Sequence, residues 1–220
     1  MRTWLRNNGL SIAMFLLFAF ALVGQVFAGH RVHNNDQVEH GQPAVQLGEY
    51  LSSGHFVESV FENWESEFLQ MAAFVFLTAY LYQKGSPESR RLEGEPDLDK
   101  HPGRSKTKDS PWPVHRGGLL LTLYSHSLSL ALFLLFAISF LLHAAGGARE
   151  YRQEQLEHGD SSSISTFAYI GTSRFWFESF QNWQSEFLSV GVLVVLSVFL
   201  RERRSPESKP VADPHGETGR

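Results

Sequence analysis

The chain alternates between apolar blocks and polar stretches. Residues 10–29 carry no charge over about 20 positions. At about 1.5 Å per residue, that is enough helix to cross roughly 30 Å of hydrocarbon. No Lys, Arg, Asp or Glu falls between Arg116 and Arg149, and residues 128–142 are almost wholly apolar. Two further blocks, 68–81 and 187–200, are shorter. Each follows an aromatic-rich stretch that can extend its helix upstream, with Trp64, Tyr80, Tyr82 and Trp183 placed where interfacial aromatics belong. The pattern predicts an all-α membrane protein with four transmembrane helices, paired as two helical hairpins that form a bundle.

The expected organisation is a first hairpin over 1–90, with spans at about 10–29 and 64–83 and an outer loop at 30–63. A flexible linker follows at 91–115. The second hairpin covers 116–209, with spans at about 119–145 and 183–201 and an outer loop at 146–182, and a disordered tail occupies 210–220. The linker is rich in Pro, Gly and charge, a composition that buries too little apolar surface to fold; the stretch from Lys209 reads the same way.

Charge sets the expected orientation. All but four of the 19 Lys and Arg residues lie in the N-terminal stub, the linker and the tail; the exceptions are Arg31, Arg149, Arg152 and Arg174. The two remaining connections hold 13 of the 23 acidic residues. The positive-inside rule therefore places both termini and the linker in the cytoplasm. Arg2, Arg6, the first apolar run and Val26-Phe27-Ala28 also have the form of a signal peptide. The run is long for that role, and its counterpart near residue 128 lies mid-chain, so it is read as a span. The net charge of -4 excludes a bulk electrostatic partner such as nucleic acid, and the absence of cysteine excludes disulfides, thiolate metal sites and cysteine nucleophiles.

The chain also matches itself at an offset of 118, becoming 119 after one insertion. Leu10-Ser11-Ile12-Ala13 pairs with Leu128-Ser129-Leu130-Ala131, and Glu39-His40-Gly41 with Glu157-His158-Gly159. Asn63-Trp64 and Ser66-Glu67-Phe68-Leu69 pair with Asn182-Trp183 and Ser185-Glu186-Phe187-Leu188. Ser86-Pro87-Glu88-Ser89 pairs with Ser205-Pro206-Glu207-Ser208. Both copies enter from the same side, so they are parallel repeats.

The string Phe180-Gln181-Asn182-Trp183-Gln184-Ser185-Glu186-Phe187, the segment Ser205-Pro206-Glu207-Ser208-Lys209-Pro210 and the Glu-His-Gly tripeptide resemble an uncharacterised bacterial membrane-protein family, a domain of unknown function. The resemblance implies a bacterial inner-membrane location and no established activity. The first copy departs from the string, with Glu62 and Glu65 where the second has Gln181 and Gln184.

Polar residues near the apolar blocks are the candidates for chemistry. On a helix, Asn63, Ser66 and Glu67 share one face, as do Asn182, Ser185 and Glu186. A carboxylate drawn into the outer leaflet costs a few kcal/mol and suggests a ligand, proton or ion site. The bland alternative is that the acids complement the helix dipole, with Ser59 and Glu62 as a capping box, and that the amides join helices. Gln25 and His143 align across the repeat, and His143 would titrate near neutrality beside a carboxylate. Glu39, His40, Glu157 and His158 offer a metal-ligand set, with His30 and His33 as further ligands, although adjacent residues seldom bind one ion together. Haem is disfavoured because His126 and His143 share one span. No nucleophile elbow, phosphate loop or metalloprotease signature occurs, so neither an enzyme nor a cofactor is expected. The expected function is a non-catalytic module that binds a partner, lipid or small ligand between its hairpins. The alternative is a small solute or ion transporter using Glu67, Glu186 and His143. The expected partners are the bilayer and a protein partner or a second copy.

Overall fold

A computed structural model of the protein describes residues 2–84, 86, 88, 102, 105–157 and 164–214. Helices are α1 Arg2–Asn7, α2 Gly9–Glu39, α3 Leu47–Tyr50, α4 Gly54–Thr78, α5 Trp112–Arg116, α6 Gly118–Ser125, α7 Ser127–Glu157, α8 Thr166–Ile170 and α9 Ser173–Phe199. Among the described residues there is no strand. Of the expected linker, residues 91–101, 103 and 104 lie outside the described set.

The three longest apolar helices, α2, α7 and α9, are long and apolar enough to cross a membrane. The apolar stretch of α2 has no buried residue, with Leu10 79% and Phe20 80% exposed, a surface whose natural solvent is lipid. Val26-Phe27-Ala28 lies in the middle of this unbroken helix. α2 continues past the expected end of its span to Glu39, because nothing before Gly41 can stop it. There Gly41 turns to φ 72°. The Gly41 amide then donates to the Val38 carbonyl at 3.1 Å, and the Gln42 amide to that of Gln37 at 2.8 Å. This is the glycine stop that satisfies the last carbonyls of a helix. The Glu-His-Gly tripeptide is therefore a helix terminator in its first copy.

α4 begins at Gly54, earlier than the expected span. Its cap is Ser53, whose hydroxyl accepts from the Phe56 amide at 3.2 Å. Ser59 lies inside the helix and donates to the Phe56 carbonyl at 3.1 Å, so Ser59 and Glu62 form no capping box. α9 repeats the arrangement with Thr172, which accepts from the Phe175 amide at 3.3 Å.

The chain divides into two compact units whose boundaries fall inside α4, α7 and α9. The first comprises residues 1–61 and 141–175, the second 62–140 and 176–220. In the first unit each expected outer loop contains a short helix, α3 or α8, ending beside a buried tyrosine, Tyr50 or Tyr169. Tyr50 lies over Gly29 of α2, and Tyr169 over Gly147 of α7. A Cβ on Gly147 would stand 2.5 Å from the Tyr169 ring. The duplication thus repeats one packing device, a loop tyrosine seated on a helix glycine. α7 and the start of α4 touch backbone to backbone, since a Cβ on Gly146 would meet the Glu58 amide nitrogen at 2.5 Å.

In the second unit, α9 packs on α7 through aromatic rings. Phe136 meets Trp183 edge-on at 6.2 Å, and Phe140 meets Trp176 at 6.4 Å. Here the chain entering the expected tail lies against α9. Lys209 is buried, its amide donating to the Ser197 carbonyl at 3.2 Å and its Nζ to the Pro214 carbonyl at 2.6 Å. Residues 215–220 lie outside the described set.

Candidate functional site

The N-W-x-S-E faces do not lie as periodicity suggested. Asn63 and Glu67 are exposed, while Ser66 of the same motif is buried and donates to the Asn63 carbonyl at 2.8 Å. In the second copy Ser185 is exposed, and Asn182 and Glu186 are half-buried. Glu67 and Glu186 come close enough to feel each other's charge. The buried residues of α4 in the second unit are Glu65, Ser66, Gln70 and Ala72, and the polar ones are rotated from the face centred on Glu67.

Two side-chain bonds between the repeats fall on the positions where the first copy departs from the second. The indole of Trp183 donates to Glu65 at 3.0 Å, and the amide of Asn182 donates to Glu62 at 2.5 Å. Gln181 and Gln184, the second copy's equivalents, are exposed, and Gln184 donates to the Gln181 carbonyl. The asymmetry thus has a purpose: the carboxylates stand on the copy that faces the other's donors.

The first unit holds a buried polar cluster drawn from both hairpins. Glu58 and His143 are 8% and 0% exposed, and a carboxylate oxygen of one lies within 4.8 Å of an imidazole nitrogen of the other. Tyr169, fully buried, donates its hydroxyl to Glu58 Oε1 at 3.2 Å. Phe175 stacks on the His143 ring at 4.8 Å. Gln25, the aligned partner of His143, reaches the same stretch of α4 and donates to the Ser59 carbonyl at 3.5 Å. His143 thus has the Glu58 carboxylate within 4.8 Å. The sequence signal was available, since Glu58 lies one helical turn ahead of Glu62, but its burial depends on Gly146 opposite.

Of the residues proposed for metal, the structure describes the side chains of the first copy. Glu39 is exposed, and His40 is also exposed, its Nδ1 lying 2.9 Å from the Asp36 carbonyl at the end of α2. The side chain of Glu157, and all of His158, fall outside the described residues. His30 lies 2.8 Å from the Val45 carbonyl through Nε2 and 3.0 Å from Asn34 through the same atom. His33, by contrast, is buried in a ring cluster with Tyr50 at 5.5 Å and His55 at 5.2 Å. Burial pushes the His55 imidazole below its ordinary value against the opposing charge of Asp36, and burial followed by the Glu150 charge pushes the Tyr50 phenol up.

Two surface grooves lie apart from these clusters. One of ≈ 370 Å³ follows Phe187, Gly191 and Val195 of α9, and another of ≈ 230 Å³ lies among Gln37, Gln42, Gln153 and Leu156.

An all-helical chain whose longest helices are apolar enough to cross a bilayer, and expose those apolar faces, has the make-up of a multi-pass membrane protein. The chain belongs to the family described as domain of unknown function DUF6766, whose profile matches residues 1–220. No curated protein and no solved structure matches it.

Proposed function

We propose that this chain is a non-catalytic module of the bacterial inner membrane that binds a small polar ligand or lipid headgroup between its two hairpins. The observation that carries this reading is the cluster of Glu58, Tyr169 and His143. Two titratable side chains and a phenol, supplied by both hairpins, are held out of water, with Tyr169 bonded to Glu58 and a His143 nitrogen within 4.8 Å of the Glu58 carboxylate. Burying such groups is costly, and membrane proteins retain them chiefly where they bind or relay something.

In this reading α4 is the fourth span. Its 25 residues make about 37 Å of helix, long enough to cross hydrocarbon. Its acids are accommodated by partners, Glu62 and Glu65 accepting from Asn182 and Trp183. Four crossings, with the basic segments gathered on one side, put both termini in the cytoplasm.

A second reading is ion or solute transport through Glu67 and Glu186. It is favoured by the mutual electrostatic influence of these carboxylates from the two repeats, and opposed by the exposure of Glu67. One preparation separates the two. The protein is purified in native-lipid nanodiscs and examined by native mass spectrometry, and a portion is placed in proteoliposomes loaded with a pH dye. A bound species that disappears in Glu58→Gln while helicity is retained, with no dye response, is the expected result. An empty parent protein, or flux abolished by Glu67→Gln and Glu186→Gln, overturns it.

A further inference from the structure

We infer that His33, His55 and Glu150 form a binding site for one divalent transition-metal cation of the zinc type. The three come from α2, the first turn of α4, and α7, all in the first unit. This site is separate from the cluster of the proposed function and uses none of its side chains.

Two unsatisfied atoms point to a missing ligand. His55 Nδ1 and one carboxylate oxygen of Glu150 are shut off from solvent and have no hydrogen-bond partner. Buried polar atoms are seldom left so, and an imidazole nitrogen and a carboxylate oxygen are the donors that a zinc-type cation takes. The remaining capacity of Glu150 holds it in place, since its carboxylate also accepts from the His55 backbone amide.

The spacing fits. Two imidazoles bound to one tetrahedral ion at about 2.05 Å put their ring centres roughly 5.2 Å apart, and the His33 and His55 rings are 5.2 Å apart. Backbone contact fixes the third ligand near them: a Cβ on Gly54, the residue before His55, would lie 2.6 Å from the Glu150 amide nitrogen. The three donor atoms do not yet lie within 4.8 Å of one another, so loading requires the side chains to rotate together. Tyr50 walls the site, its ring 5.5 Å from His33 and 5.9 Å from His55.

The charge is also suitable. Glu150 lies in the field of His33, Glu154 and Arg174. Arg174, however, is taken by Glu154 in a two-pronged ion pair. Asp36 adds a further negative charge within range of His55. Two imidazoles and a carboxylate suit zinc, cobalt or nickel, whereas magnesium and calcium prefer oxygen alone.

The test uses the full chain in detergent, stripped with EDTA and titrated with Co²⁺ and then Zn²⁺. We expect one equivalent of Co²⁺ to give the intense visible bands of a tetrahedral site, and Zn²⁺ to displace it. His55→Gln and Glu150→Gln should each weaken affinity at least about tenfold, while His40→Ala keeps the parent affinity. Circular dichroism checks each fold, and the two ligand variants sit on different helices, so one misfolded variant leaves the other decisive. Absence of bands and of Zn²⁺ uptake in the parent, or parent affinity in the folded variants, overturns the site.

Discussion

The indole N–H of Trp183 is bonded to Glu65 at 3.0 Å, so the second repeat's motif is anchored on a residue that the motif itself lacks. Glu65 is fully buried, and taking away the acceptor strands a donor in an apolar setting. That costs about 1–3 kcal/mol in soluble proteins, whereas hydrogen bonds between membrane helices average about 0.6 kcal/mol, because the unfolded chain in lipid also finds partners. We expect Glu65→Ala to destabilise by about 1 kcal/mol, between the two figures. Glu65→Gln keeps a carbonyl acceptor and should cost less than half as much. Thermal unfolding followed by tryptophan emission measures both. Equal losses for Ala and Gln would mean that the side chain acts by volume alone.

Glycine substitutions separate packing from helix propensity. At Gly146 and Gly147 an added methyl meets the Glu58 backbone and the Tyr169 ring at 2.5 Å, so either Ala variant should lose at least about 1–3 kcal/mol through overpacking. At Gly24 and Gly191 nothing lies within 4 Å of the added carbon. Ala there should be neutral or stabilise by up to about 1 kcal/mol, the propensity difference. A chemical-denaturation series in one detergent compares all four, and similar behaviour at Gly146 and Gly191 would refute the close approach of α7 to α4.

Glu88 supplies a pH signature at the end of the first repeat. Burial, then a hydrogen bond and charge repulsion from its repeat-mate Glu207, push its carboxyl up to about 7 from an ordinary value of 4.5. Below about 4.5 the group is protonated both folded and unfolded, so it carries no penalty. Between there and about 7 the unfolded chain releases the proton that the fold retains, and stability falls as pH rises. Above that window the loss is complete. Glu88→Gln removes the penalty, so its advantage in melting temperature over the parent should be small at pH 4 and largest at pH 8. A pH-independent difference would show that the pair does not share a proton.

The apolar blocks were legible because lipid-facing helices announce themselves by composition, with no partner needed to interpret residues 10–29 or 128–142. The duplication was legible for the same reason, residue by residue. The rotation of α4 was not. Periodicity told that Ser66 and Glu67 are neighbours on one helix, and it cannot tell which of Glu65 and Glu67 faces protein. That choice is made by Trp183 on another helix. Nothing in the sequence marks Tyr50 or Tyr169, since a tyrosine in a polar loop looks ordinary until the glycine beneath it is known. His33 entered only as a companion to the Glu-His-Gly turns, whereas its neighbours His55 and Glu150 lie on other helices.

Whether α4 crosses the bilayer follows from physical competition, and it can be measured. Glu58, Glu62, Glu65 and Glu67 lower its apolar content, and each would cost a few kcal/mol alone in hydrocarbon. Three of them have a bonding partner in Tyr169, Asn182 or Trp183, which offsets part of that cost, and the helix is long enough to span. We therefore expect residues 42 and 107, on either side of α4, to face opposite compartments. The chain has no cysteine, so single replacements need no background removal. Gln42→Cys and Thr107→Cys occupy exposed positions and serve as reporters. In intact cells with a permeable outer membrane, an impermeant maleimide should label Cys at 42 at once and at 107 only after the inner membrane is broken. Labelling of both without disruption would leave α4 on one side of the membrane, with its acids facing water, and would remove the fourth crossing.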